Sequence, residues 1–203
     1  MSEFKSLCIK LGILILSCVF QACYIDAQGC TGRRVEAVCN LRPDPTGPNS
    51  PITGTVRFTQ TMTCYHAHRL HLVRVQGEIT GLPQSESIQK HGFHVHANGD
   101  LRDGCRSMGS HYNPLNTVHG RPADVQSRRH VGDLGNVIAD RWGNVTIDFI
   151  APYPVSLYGD MSIIGRGIVL HEGEDDLGRG GNPGSIASGN AGARIACCII
   201  ERV

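Results

Sequence analysis

Residues 53–59 read TGTVRFT and residues 70–79 read LHLVRVQGEI, and both stretches alternate apolar with polar side chains. This alternation is typical of strands with one face in a core and the other in solvent. Further short apolar segments lie at 35–41, 92–97, 137–139, 145–150, 163–171 and 195–200. Because no segment shows a clear helical period, we predict an all-β domain. It would close as an antiparallel sandwich or barrel, which removes exposed strand edges.

Two long, glycine-rich segments interrupt the strands, at residues 99–135 and 172–192. Loops of this length inside a compact domain are usually functional or braced by another element. We predict no helix in the second one. Its stretch 178–184, GRGGNPG, lacks the GK[ST] ending and an evident following helix, so a phosphate-binding loop is not indicated.

The N-terminus has the pattern of an export signal: a basic start, an apolar core at 11–20 and small residues up to Ala27. Cleavage after Ala27 would make residues 1–27 a signal peptide and residues 28–203 a single secreted domain. The apolar run is too short to span a bilayer, so no membrane span is expected. A net charge of +1 gives no indication of a nucleic-acid partner.

Cysteine usage supports export, because an even number of cysteines in a secreted chain predicts disulfide bonds. The cysteines that remain after cleavage are Cys30, Cys39, Cys64, Cys105, Cys197 and Cys198. None of them has CxxC spacing, so a cysteine-bound zinc is not indicated. Residues 144–146, Asn-Val-Thr, form a sequon for N-linked glycosylation at Asn144, with an unused sequon as the alternative.

Histidines carry the chemical signal of the sequence. His94 and His96 are two residues apart on a predicted strand, so both imidazoles face one side and can reach one metal ion. Taken alone, this pair is equally consistent with two ordinary surface or core histidines. His171 ends another predicted strand, just before an acidic loop segment.

A second group, His111, His119, His130 and Asp133, lies in the first long loop. A loop this polar cannot be ordered by core burial alone. A tetrahedral metal bound by imidazole and carboxylate groups would supply the missing order, and imidazoles suit copper and zinc. We therefore predict a metal site, with solvated loop histidines as the less favoured interpretation.

Five stretches together resemble the copper/zinc superoxide dismutases. They are GFHVHANGD (92–100), GCRSMGSHYNPL (104–115), RHVGDLGNV (129–137), IIGRGIVLHEGEDDLGRGGN (163–182) and GNAGARIACC (189–198). The resemblance covers nearly all of the mature chain, and the doubled Cys197-Cys198 is most similar to the extracellular branch. It implies an eight-stranded Greek-key β-barrel, flattened like a sandwich, with two long functional loops.

The resemblance also implies roles for single residues. Copper would be bound by His94, His96, His111 and His171, and zinc by His111, His119, His130 and Asp133. Asp175 would hold two of these histidines from behind, and Arg194 would lie beside the copper and act with the bridging His111 in catalysis. His91 matches a structural histidine and is left out of the metal set.

Disulfide pairing follows from the same resemblance: Cys105 with Cys197 and Cys39 with Cys198. A bond between Cys30 and Cys64 is a weaker hypothesis, since both could instead link chains. Residues 64–71, CYHAHRLH, carry His66, His68 and His71. One interpretation is an additional surface metal site or a pH-sensitive patch, and the favoured alternative is an exposed loop entering a strand.

Assembly is implied as a homodimer through an apolar patch that includes the last strand and residues 163–166. Glu201 and Arg202 place a charge pair near that patch, which argues against the usual dimer. No basic tail follows them, so heparin-type anchoring is not indicated.

The implied activity is dismutation of superoxide to oxygen and hydrogen peroxide by a secreted antioxidant enzyme. The alternative is an extracellular binding protein of the same fold with little or no activity, which carries metal or attaches to microbial or cell surfaces. A copper-only variant is a weaker third possibility, since His119, His130 and Asp133 are intact. Because the segment 173–188 has Arg179 as its only cation, we expect superoxide to be steered differently from intracellular relatives.

Overall fold

A computed structural model describes residues 33–47, 51–65, 68–70 and 72–203. The chain divides into two compact units, and the larger one comprises residues 34–61 and 71–203. In the smaller unit, the described residues include a short hairpin in which residues 63–65 pair with residues 68–70. The strands are β1 (Arg33–Pro43), β2 (Thr53–Tyr65), β3 (His68–Leu70), β4 (Val73–Thr80), β5 (Gln89–His96), β6 (Arg102–Cys105), β7 (Asp133–Ala139), β8 (Val145–Ile150), β9 (Gly167–His171), β10 (Arg194–Ile199) and β11 (Glu201–Arg202).

Eight strands of the larger unit close on themselves in the order β1-β10-β9-β5-β7-β8-β4-β2, because β2 pairs with β1 as well as with β4. The predicted all-β barrel is confirmed, and closure leaves these strands without a free edge. The short β11 adds to β1, with Ala37 opposite Arg202.

The alternating pattern places the core inside this barrel. On β4, Val73, Val75 and Ile79 are fully buried, while Arg74, Gln76 and Glu78 are exposed. Phe58 on the neighbouring β2 is fully buried as well. Burial of these side chains contributes roughly 1.5–3 kcal/mol each, so the period of two in the sequence translates directly into barrel stability.

Two predicted strand boundaries are wrong. The apolar stretch 163–171 becomes strand only from Gly167, because residues 163–166 form a turn in which Arg166 N donates to Ile163 O at 3.1 Å and Gly165 has a φ of 79°. The stretch 70–79 is also split: Leu70 belongs to β3, and β4 begins at Val73. At residues 163–166, local turn geometry overrides the apolar pattern of the sequence.

The expectation of no helix in the second long loop is also wrong, because a six-residue helix α1 (Pro183–Ser188) lies there. Asn182 caps it by accepting from Ser185 N at 3.0 Å, and Pro183 occupies the first turn, where its missing N–H costs nothing. Gly189 ends it in the left-handed conformation, with a φ of 75°. Two single-turn 3₁₀ helices, Arg106–Met108 and Gln126–Arg128, lie in the first long loop.

Two disulfide bonds link β10 to other parts of the chain. Cys39 on β1 is bonded to Cys198, and Cys105 at the end of β6 is bonded to Cys197. Cys197 and Cys198 are neighbours on β10 and point to opposite faces, so one strand carries both bonds. These are the pairings that the resemblance implies. The hypothesis of a Cys30–Cys64 bond stays a prediction, because Cys30 lies outside the described residues.

Candidate metal centre

Three histidines of the centre stand on two adjacent strands. His94 and His96 lie on β5, opposite Val169 and Gly167 of β9, and His171 ends β9. All three imidazoles are at least 95% buried. The register of this strand pair therefore determines where the rings lie.

Each of these rings is held at one nitrogen by a hydrogen bond. His94 Nε2 is 2.9 Å from Asp175 Oδ2, His96 Nδ1 is 2.9 Å from Gly109 O, and His171 Nδ1 is 3.3 Å from Gly192 O. Since carbonyl and carboxylate oxygens accept, the bonded nitrogen carries the proton in each ring. The other nitrogen is left with a free lone pair, as a metal ligand requires.

The free nitrogens converge. His171 Nε2 and His96 Nε2 are 3.4 Å apart, and His94 Nδ1 and His111 Nε2 are buried without a hydrogen-bond partner. Ligand atoms of these four residues all lie within 4.8 Å of one another. Buried unpaired nitrogens are costly, so this arrangement fits a bound cation that uses their lone pairs.

A second set of ligand atoms surrounds one carboxylate oxygen in the first long loop. Asp133 Oδ1 lies 2.9 Å from His111 Nδ1, 3.0 Å from His119 Nδ1 and 3.1 Å from His130 Nδ1. His119 Nδ1 is close to this oxygen but lacks hydrogen-bond geometry, which is expected where both atoms point toward a shared centre. Three imidazoles and one carboxylate are a tetrahedral zinc-type donor set.

His111 belongs to both sets of ligand atoms: its Nδ1 faces the set around Asp133, and its Nε2 faces the set formed with His94, His96 and His171. Asp175 is a second link between the two sets, because it contacts one histidine of each set on the ring nitrogen that faces away from the centre. It is fully buried, and its two oxygens lie 2.9 Å from His94 Nε2 and 2.8 Å from His119 Nε2. A Cβ at position 189 would lie 1.9 Å from Asp175 Oδ1, so Gly189 is needed for this approach.

The electrostatics of the two sets differ. Burial lowers the pKa of His171 to about 3 and that of His111 to about 4, with a further contribution from His94, so these rings are neutral. Burial also lowers the pKa of His119, but the nearby carboxylates of Asp133 and Asp175 outweigh it and raise the pKa to about 9. The set of four histidines thus offers neutral ligands to a metal. The set around Asp133 is stabilised by a positive charge, which a bound dication would supply.

Arg194 lies at the start of β10, half-buried, opposite His171. Its Nη1 donates to Cys105 O at 2.7 Å and its Nη2 to Gly109 O at 2.6 Å. Gly109 O also accepts from His96 Nδ1, so one carbonyl positions both the arginine and a ligand ring. Burial lowers the pKa of Arg194, but a guanidinium stays charged in proteins.

Sequence reasoning missed two residues that support the centre. Arg129 is 99% buried, and its Nη1 donates to the carbonyl of His130 at 2.8 Å. Asp44 accepts from Cys105 N at 3.4 Å and its charge stabilises the Arg194 guanidinium. The position of Arg129 directly before a candidate ligand was its only sequence signal, and Asp44 had none beyond a turn-rich context.

His91 is buried but belongs to neither set; its Nδ1 lies 3.0 Å from the carbonyl of His171, so it is in contact with a ligand residue through the backbone. The extra site proposed at His66, His68 and His71 stays a prediction, because His66 and His71 lie outside the described residues. Among the described residues, no helix is long and apolar enough to cross a membrane.

Residues 52–200 match the family described as copper/zinc superoxide dismutase. The chain is 41% identical over 187 residues to the extracellular superoxide dismutase [Cu-Zn] of Drosophila melanogaster, covering 92% of this chain and 96% of the relative. It is 38% identical over 189 residues to the extracellular enzyme of Haemonchus contortus, covering 93% and 95%. The crystal structure of the clock protein EA4 has a TM-score of 0.67 at 43% identity, covering 84% of this chain and 95% of that one.

The fold and the paired donor sets define a metal-dependent oxidoreductase with copper and zinc as its cofactors. The chain belongs to the copper/zinc superoxide dismutase family, and its function is dismutation of superoxide.

Proposed function

We propose that the chain is a secreted superoxide dismutase whose two metals share His111. Copper would be held by His94, His96, His111 and His171, and zinc by His111, His119, His130 and Asp133. The observation that carries this assignment is the position of His111, whose two ring nitrogens face two different sets of converging ligand atoms.

Two superoxide ions and two protons give one oxygen molecule and one hydrogen peroxide. When bound, copper supplies the one-electron oxidation and reduction that this reaction needs, whereas zinc has no redox chemistry and supplies charge and order. His111 Nε2 is buried and free of protein partners, so it can hold one proton and donate it to the peroxide product. Nδ1 faces Asp133, His119 and His130, and this zinc-side group would keep the ring in position while the proton moves.

Arg194 would bind the substrate anion. Its guanidinium is anchored by the carbonyls of Cys105 and Gly109, which fixes it at the strand end that carries His171. Superoxide is a small anion, and a fixed cation beside the copper set raises its local concentration and orients it. Because the segment 173–188 contains Arg179 as its only cation, Arg194 carries a larger share of this work.

Secretion is supported by the N-terminal signal pattern, by the two disulfides and by extracellular relatives. A secreted chain would meet the glycosylation machinery, and Asn144 is exposed at the start of its sequon. The homodimer, and attachment to microbial or cell surfaces, stay predictions that sedimentation and binding measurements would address.

The decisive experiment measures copper and zinc content together with superoxide dismutation for the purified mature protein. We expect about one of each metal and a rate that falls about ten-fold in Arg194→Ala, with partial retention in Arg194→Lys. A copper-loaded wild type without dismutation would overturn the enzyme and favour the binding-protein alternative.

A second measurement separates a substrate role of Arg194 from a purely structural one. If the guanidinium binds the substrate, the rate of Arg194→Ala loses most of its dependence on ionic strength, while its melting temperature and metal content stay near wild type. Arg179→Ala is the matched control on the loop surface, since Arg179 is exposed. An equal loss of ionic-strength dependence in both variants would assign steering to the loop instead.

A further inference from the structure

An apolar groove lies on the barrel surface, where the chain enters β5 and where β7 turns into β8. Three large apolar side chains line it while largely in solvent: Ile88 is 73%, Ile138 56% and Trp142 60% exposed. The groove has a volume of about 680 Å³. Apolar clusters of this kind on a soluble protein usually have a covering partner.

The sequon lies in the lining of the same groove. Asn144 and Thr146 contribute to its wall, and both are exposed. The turn that carries them is well fixed, because Asp140 Oδ1 accepts from Trp142 N at 2.9 Å and from Asn144 N at 2.8 Å. One carboxylate therefore fixes the backbone at both Trp142 and Asn144.

The indole and the amide are both arranged for a carbohydrate. The guanidinium of Arg141 lies 4.8 Å over the Trp142 ring, which restrains the indole despite its exposure. Asn144 Nδ2 makes one long hydrogen bond of 3.4 Å to Asp140 Oδ2. After loss of one amide proton to glycosylation, the remaining N–H can still make this bond, so attachment does not disrupt the turn.

We propose that an N-linked oligosaccharide on Asn144 covers this groove, with its first sugar against Trp142. Sugar rings have an apolar C–H face that matches an aromatic surface, while their hydroxyls stay hydrated at the polar rim of Glu86, Asp140 and Arg141. The inference rests on the secretion proposed above, because only a secreted chain meets the donor.

The covalent step uses a lipid-linked oligosaccharide diphosphate as donor. Asn144 Nδ2 forms a bond to C1 of the first sugar, and the bond between C1 and the diphosphate oxygen breaks. The lipid diphosphate leaves with the electron pair, and Nδ2 loses one proton. No oxidation or reduction takes place, and the product is a neutral glycosylated amide.

Trp142 is the only tryptophan in the chain, so intrinsic fluorescence reports on the groove directly. The full-length protein is expressed in a eukaryotic host and collected from the medium. Mass spectrometry of the peptide that carries Asn144 establishes whether it is glycosylated. We expect the glycosylated protein to show about two-fold weaker acrylamide quenching than protein whose glycan has been removed enzymatically, because one face of an exposed indole is covered.

Three variants make the test specific. Asn144→Gln and Thr146→Ala both remove the sequon and should reach the high quenching of the deglycosylated protein, whereas Thr146→Ser keeps the sequon and should match wild type. Superoxide dismutation should stay unchanged in all three, since neither position touches the metal centre.

Each contrary outcome has a distinct meaning. If Asn144 is glycosylated but quenching is the same with and without the glycan, the sugar does not pack on Trp142, and secretion is still supported. A secreted, active protein without a glycan on Asn144 overturns this inference and leaves the enzyme standing. Quenching that weakens with protein concentration regardless of the glycan assigns the groove to a second copy of the chain and also overturns it.

Discussion

The copper-side and zinc-side residues reach the same small volume by different structural routes. His94, His96 and His171 stand on β5 and β9, so backbone pairing places their rings without help from a metal. The zinc-side residues lie in a loop or at its end, and their order depends on side-chain contacts around Asp133. A strand can present ligands by register alone, whereas a polar loop needs a central charge to hold it.

The largest expected effect is a loss of dismutation on removal of a copper-side residue. His171→Ala removes a proposed copper ligand, so dismutation should fall by more than about 100-fold, beyond the loss typical of an outer hydrogen-bond partner. Because β9 persists, zinc content and melting temperature should stay near wild type. Metal analysis, rate measurement and thermal unfolding on one preparation check this.

Its counterpart is His119→Ala on the zinc side. There we expect loss of zinc and a lower melting temperature, while part of the dismutation activity remains. If His171→Ala unfolds the loop as readily as His119→Ala does, the division into a strand-held and a metal-held half is wrong.

A smaller effect tests the link between the halves. Asp175→Asn replaces one carboxylate oxygen by an NH2 group that cannot accept, so either His94 or His119 loses its hydrogen bond. We expect metal affinity to fall about 10–100-fold for the metal on the affected side, measured by competition with chelators.

The adjacent Glu174→Gln is the matched control for that measurement. Glu174 forms an exposed ion pair with Lys90, at 2.8 Å, and such pairs contribute about 0–1 kcal/mol. Its metal affinity should be unchanged. Equal effects of the two substitutions would mean that loop charge, and not the buried contact, controls binding.

The two disulfide bonds are expected to have similar effects on stability but different effects on the rate of dismutation. Replacing the Cys105–Cys197 pair by serine should lower the free energy of unfolding by about 2–4 kcal/mol, measured by urea denaturation. It should also slow dismutation, because Arg194 is anchored on the carbonyl of Cys105.

Replacing Cys39 and Cys198 should destabilise by a similar amount without the effect on rate, since that bond lies on the opposite face of β10. A rate loss of the same size in both double variants would contradict the anchoring role.

The smallest effect is the pH dependence of the metal-free protein. The pKa of His171 is about 3 and that of His111 about 4 in the folded state, so the unfolded chain takes up protons first as the pH falls from about 6.5. The free energy of unfolding therefore decreases as the pH falls below about 6.5. His119, with its pKa raised to about 9, contributes stability below pH 6.5 that is lost as the pH rises toward 9.

We expect a maximum of metal-free stability near pH ~6.5, with a loss of about 1 kcal/mol or more on each side. Urea denaturation in the presence of a chelator between pH 4.5 and 9 measures it. His171→Gln should flatten the acid limb only. A stability that rises steadily across this range would show that the two groups of histidines are not opposed.

The sequence predicted the fold well where burial follows a simple period. The alternation at 53–59 and in most of 70–79 became strands, and the barrel closed as expected. The errors have different causes: turn hydrogen bonds keep residues 163–166 out of the strand, and helix α1 is too short to show a period.

By itself, the sequence determined which side chains could bind metal, because imidazole and carboxylate chemistry belongs to the residue types. Only the tertiary structure decided which nitrogen of each ring is free. That depends on partners far along the chain, such as Gly109 for His96 and Asp175 for His94 and His119. Sequence spacing carries no information on such contacts, since barrel closure brings them together.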